Sequence, residues 1–169
     1  MRFSPKLLLL SVFILAVCGS AMAYAYVHFN IGVYRMPVAA MEPTIMTGES
    51  IRADLSAYET AEPQRWDLIV FRSSQIDGKT WIFRVVGLPG ETIAFGSTGI
   101  LIDGKPAEVP NLLSNISYRG RDVDDATADD PFTVPKQSYY VLGDNPAKAN
   151  DSRYWGAVTR DSIIGRAKD

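Results

Sequence analysis

Hydrophobic positions along the chain fall into two regimes. Residues 7–27 form an uncharged stretch of 21 residues, preceded by Arg2 and Lys6. A bilayer core requires a helix of roughly 20 apolar residues, so this run can span a membrane. Beyond residue 30 the apolar signal breaks into short pieces separated by turn residues, without long helical periodicity. That part is predicted to be mainly β. Residues 66–71 and 80–86 flank a connection holding Asp77-Gly78, a favourable hairpin sequence because glycine accepts positive φ, and the two segments are expected to pair antiparallel. Further strands are predicted at 92–95, at 100–102 ahead of an Asp103-Gly104 turn, at 139–142 and at 163–164.

The apolar stretch has two readings. Ala21-Met22-Ala23 has the small-x-small form of a signal-peptide cleavage site, and removal there would release the rest of the chain. The run is longer than the typical apolar region of a signal peptide, about 7–15 residues, which favours retention as an anchor. Arg2 and Lys6 favour a cytoplasmic N-terminus under the positive-inside rule, with Arg35 beyond the stretch pulling slightly the other way. The expected organisation is a cytoplasmic tail at 1–6, a single transmembrane helix at 7–29 in the inner membrane, and an exported β-rich domain at 30–169 on the extracytoplasmic side.

Charge and composition narrow the function classes. Removing Arg2 and Lys6 from the 17 basic residues leaves 15 against 19 acidic ones, so nucleic acid is not an expected partner. The single cysteine, Cys18, lies in the apolar run, and the exported part holds no thiol for an internal disulfide. Residues 111–136 read as an acidic loop, with Asp122, Asp124, Asp125, Asp129 and Asp130 crowded together. Their spacing lacks the glycine and terminal glutamate of an EF-hand. Neither a metal nor a cofactor is expected.

Three separated segments carry a more specific signal. They are Pro37-Val38-Ala39-Ala40-Met41-Glu42-Pro43-Thr44, then Phe83-Arg84-Val85-Val86-Gly87-Leu88-Pro89-Gly90-Glu91, then Gly143-Asp144-Asn145 through Asp151-Ser152-Arg153-Tyr154-Trp155-Gly156. In this order, behind one apolar run, they resemble the type I signal peptidases. The resemblance implies a signal-peptidase-like antiparallel β fold and a cleft in which the signal peptide of an exported preprotein lies extended. A sheet edge can hold such a peptide through backbone hydrogen bonds while shallow pockets choose alternate side chains. Here the cleft would draw on Pro37, Ala39, Met41, Trp81, Arg84, Val85 and Val86. Members of the family cut with a serine nucleophile and a lysine base, the lysine needing a depressed pKa so that it can take the hydroxyl proton.

At the matching positions this chain holds other residues. Ala40 stands at the nucleophile position and Phe83 at the general-base position. Val38 stands where a hydroxyl would donate to the oxyanion, and Ala149 where a serine would orient the lysine. Lys79, four strand residues before Phe83, would be about 13 Å away, and no base is evident for Thr44 or Ser50. His28, the one histidine, borders the anchor. The remaining motif residues, Pro43, Gly87, Pro89, Gly90, Gly143, Asp144, Asn145, Asp151, Ser152 and Arg153, are expected to shape turns and a hydrogen-bonded loop containing an Asp–Arg pair.

The expected function is a membrane-anchored homologue that binds signal-peptide-like segments of exported preproteins or pilin-like clients without hydrolysing them. Membrane lipid is its other expected partner. Two alternatives stand beside it: a working signal peptidase whose dyad was relocated or replaced by design, and an exported β module with a closed cleft serving as an interaction surface.

Overall fold

A computed structural model describes residues 5–73, 78–97, 99–120 and 131–168. The acidic run at 122–130 and Asp77 of the predicted hairpin lie outside them. The predicted anchor is a helix, α1 (Pro5–Asn30). Leu9, Val12, Phe13, Ile14, Leu15, Val17 and Met22 on it are exposed. Among the described residues no helix is long and apolar enough to cross a membrane. α1 is therefore established as a helix, and its membrane crossing is not.

The rest is antiparallel β, as the strand periodicity predicts. One sheet has seven strands in the order β1 (Ile31–Arg35), β2 (Ser50–Asp54), β11 (Ile163–Ala167), β3 (Leu68–Arg72), β4 (Thr80–Gly87), β9 (Ser138–Leu142) and β10 (Val158–Thr159). A smaller sheet runs β7 (Lys105–Pro106), β6 (Gly99–Ile102), β5 (Thr92–Gly96) and β8 (Phe132–Thr133). Each strand expected from the sequence is present, and β3 pairs with β4 antiparallel with Phe71 opposite Trp81 and Ile69 opposite Phe83.

β4 and β9 are the centre of the architecture. Their β-branched and aromatic side chains suit a pleated surface, and alternation sends them to two apolar clusters. Phe83, Val85, Tyr139 and Val141 belong to one, together with Met36, Ala40, Met41, Phe71 and Ala149. Val86, Tyr140 and Leu142 belong to the other, together with Ile93, Ile100, Tyr118 and Val134. Burial on both faces accounts for the near-continuous apolar reading of these strands. At Gly87 a Cβ would stand 2.8 Å from Ile93 and from Tyr140, so only glycine lets β5 and β9 close there.

Candidate functional site

The first motif segment follows β1. Val38 is extended, with φ −135° and ψ 162°, and residues Ala39–Met41 form a single 3-10 turn that buries Ala40 and Met41. The third segment packs against that turn. The Asn145 N–H donates to the Ala40 carbonyl at 2.9 Å, and a Cβ on Gly143 would meet that oxygen at 2.5 Å and the Ala149 methyl at 2.4 Å. Ala40, Gly143, Asn145 and Ala149 thus come together.

Two buried ion pairs hold these segments. Asp151 caps the short helix α2 (Ser152–Trp155) by accepting from the Arg153 N–H, takes the Gly143 N–H at 3.0 Å and pairs with the Arg153 guanidinium at 2.8 Å. Burial pushes the Asp151 carboxyl up, while Arg153 and the Gly143 N–H oppose that shift. Asp144 is gripped by Arg84, whose Nη2 lies 2.6 Å from Oδ2, and also accepts from the Tyr118 hydroxyl at 2.7 Å and from the Thr44 hydroxyl. Burial, with the Asp144 carboxylate beside it, raises the Tyr118 hydroxyl, which keeps it a donor. This single carboxylate ties the segment after the Ala40 turn to β4 and, through Tyr118, to the connection between β7 and β8 of the smaller sheet. The expected Asp–Arg pair of the third segment is Asp151–Arg153; Asp144 reaches across to Arg84 instead.

Phe83, at the position matched to the lysine base, is fully buried at 0% exposure. It stacks on Trp81 at a centroid distance of 6.0 Å and on Trp155 at 6.4 Å, and meets Phe71 at 5.9 Å. Phe71 closes the group against Trp155 at 6.2 Å. Four rings fill this end of the core, each contact favourable by about 0.5–1.5 kcal/mol beyond its area. The indole of Trp155 donates to the Asn150 carbonyl at 3.0 Å, which fixes the ring over Phe83. The sequence singles out Trp81 and Trp155 separately; nothing in it signals that the two would stack on Phe83, because Trp155 arrives from 72 positions along the chain.

The expected cleft is corrected in part. Met41 and Val85 are fully buried core residues, and Val86 points into the other apolar cluster. Arg84 faces Asp144 and is buried, because alternation along β4 turns it away from Phe83. Of the expected cleft, Pro37 stays exposed and Ala39 and Trp81 are half-buried; outside that set, Val38 is 39% exposed and Trp155 half-buried. A cavity of about 500 Å³ with a mixed lining lies between Glu42-Pro43 and the loops at 115–120 and 144–147. No local residue pattern points to it. Pro43 follows a cis peptide bond, and Gly90 turns the chain after β4 at φ +87°.

Comparison with known proteins agrees with this architecture. Residues 8–168 match the family described as signal peptidase, peptidase S26. A signal peptidase I of Leptolyngbya laminosa is 34% identical over 139 residues, covering 78% of this chain and 64% of its own length. A signal peptidase IB of Staphylococcus aureus is 28% identical over 147 residues, covering 82% of this chain and 76% of its own. The crystal structure of a signal peptidase I from Enterococcus faecalis V583 superimposes with a TM-score of 0.51 at 31% identity, covering 64% of this chain and 98% of that one.

Proposed function

The chain belongs to the signal peptidase, peptidase S26, family, and from that premise we propose that it engages signal-peptide-like segments of exported proteins at a membrane surface without cutting them. The observation that carries the second half is the ring cluster around Phe83. A general base at that position needs a group that accepts a proton, and here the side chain is a phenyl ring buried between two indoles. Ala40 presents a methyl group where attack on a carbonyl would begin. Val38 and Ala149 add neither a donor to an oxyanion nor a partner to a base.

The accessible segment at residues 37–39, which leads from the end of β1 into the 3-10 turn, with the half-buried indoles of Trp81 and Trp155 in the same region, supports the binding half. An extended segment with small side chains can lie there through backbone contacts. Exposed apolar residues along α1 support the anchor reading: a helix apolar on all sides, unlike an amphipathic one, belongs in a core or a bilayer, and none of the described side chains of α1 is buried. With Arg2 and Lys6 on the short side, the β domain would stand on the extracytoplasmic face, where preprotein or pilin-like clients emerge.

A photo-activatable cross-linker placed at Val38 of the membrane-embedded full chain tests this. A preprotein with an Ala-x-Ala site is expected to cross-link and to remain uncut. Efficient processing of the same preprotein favours the reading in which another nucleophile works. Absence of both cross-link and product favours the closed module.

A further inference from the structure

We infer that the outer face of β1, β2 and β11 is a cationic platform that docks the β domain onto anionic phospholipid. The inference rests on the reading of α1 as an anchor.

Cross-strand register builds it. Val33 stands opposite Arg52, and Arg35 opposite Ser50. Arg166 stands opposite Asp54, and the Lys168 N–H continues that ladder by donating to the Arg52 carbonyl. Directly opposed residues share one face of an antiparallel sheet. One row therefore reads Val33, Arg52, Lys168, and the next reads Asp54, Arg166. Alternate residues Ile51 and Ala53 are buried, so the Arg52 face is the outward one. Arg35, Arg52, Arg166 and Lys168 are all exposed on it.

The acid on these rows, Asp54, is already engaged. It accepts from Ser56 and has its carboxyl held below the usual range by that hydroxyl, aided by Lys168 and Arg166. Arg35 spends its Nε on the Gly48 carbonyl, and Arg166 stands 4.0 Å from Asp67. Arg52 and Lys168 direct no side-chain hydrogen bond toward the described residues, so apart from the attraction between Lys168 and Asp54 their charge faces an external anion.

Position along the chain selects the anion. α1 runs into β1 without a linker, the Leu55 N–H donating to the carbonyl of Asn30 at the helix end. Val33 is three strand residues beyond that end, at most about 10 Å away. This is within one Debye length at moderate salt, about 10 Å. If α1 crosses a bilayer, the Val33–Arg52–Lys168 row is held at headgroup depth. The exposed Val33, at 68%, gives the row an apolar contact as well. Cations this close to an anionic leaflet each favour the docked state about fivefold.

The test uses the full chain with Cys18→Ser and a nitroxide on Val33→Cys, reconstituted into phosphatidylcholine vesicles with and without about one-third phosphatidylglycerol. Flotation with phosphatidylcholine alone reads the anchor, and failure to float overturns the anchor reading on which the platform depends. A headgroup-chelated relaxing ion reads the platform. Faster nitroxide relaxation is expected with phosphatidylglycerol, falling about fivefold in R52Q and again in R52Q/K168Q, and vanishing at about 1 M salt. Equal relaxation in both lipids, or a double variant that keeps the preference while melting like the parent, overturns the platform. So does its abolition by inorganic phosphate where chloride of equal ionic strength has no effect, since free phosphate would then be the ligand.

Discussion

Replacing Phe83 by lysine asks whether the core end around Ala40 is closed. Phe83 is fully buried against Phe71, Trp81 and Trp155. Losing a phenyl ring from such a site costs about 3–5 kcal/mol when nothing refills it, and the lysine stem would recover part of that. The amine would have to stay neutral, since burial depresses a lysine pKa by up to about 3–5 units from a solution value of about 10.4. Folding then releases a proton throughout the window between the depressed and the normal pKa. The unfolded chain binds more protons there, so stability rises with pH, by about 1.4 kcal/mol per unit. In melting of the full chain in detergent, F83K is expected to lose stability at neutral pH and regain about 2–4 °C for each kcal/mol as pH approaches 10. F83M supplies the reference that lacks the charge. If F83K and F83M respond alike to pH, the amine reaches water, the ring cluster is an open pocket, and the closed core argued above is refuted.

Five further outcomes follow from the same geometry. Asp144→Ala leaves the Arg84 guanidinium buried without this carboxylate, and a loss of about 3–5 kcal/mol is expected in denaturant titration, whereas Tyr118→Phe removes one bond to a charged acceptor and should cost about 1.5–3 kcal/mol. Gly143→Ala drives a methyl into the Ala40 carbonyl and the Ala149 methyl; overpacking of about 1–3 kcal/mol is expected, with cross-linking at Val38 weakened as the turn shifts. Glu62, bonded to the Tyr139 hydroxyl and to Arg160, has its carboxyl held below 4.5 chiefly by the tyrosine. Its contribution to stability should therefore be complete above pH 4.5 and disappear as pH falls through the lowered value, a decline that Glu62→Gln abolishes. The partner Tyr139 hydroxyl is pushed up to about 12, first by burial and then by Glu62, and ultraviolet titration should find it ionising after exposed tyrosines.

What was legible beforehand follows the range of the interactions. Strands β3, β4, β5, β6, β9 and β11 announce themselves through local apolar runs and glycine turns. β1 and β2 do not: Ile31–Arg35 and Ser50–Asp54 mix charged and apolar residues because one face is solvated. The motif residues Ala40, Gly143, Asn145 and Ala149 meet although Ala40 lies about 100 positions before the other three in the sequence, and their spacing alone carries no sign of it. Arg84 and Val86 were misplaced because a motif read as a string carries no face, and one step along a strand reverses the side chain. The Arg84–Asp144 pair joins residues 60 apart, and the Phe83–Trp155 stack joins residues farther apart still, so neither has a local signature.

The central claim is that this scaffold engages a signal peptide but cannot hydrolyse it. The most direct measurement incubates the full chain in phospholipid vesicles with a preprotein bearing an Ala-x-Ala site and sequences the N-termini of whatever forms. The expected result is intact preprotein, both for this chain and for its Thr44→Ala and Ser50→Ala variants. Mature protein beginning just after the Ala-x-Ala site, formed by this chain and lost on changing one further residue of it, would contradict the account.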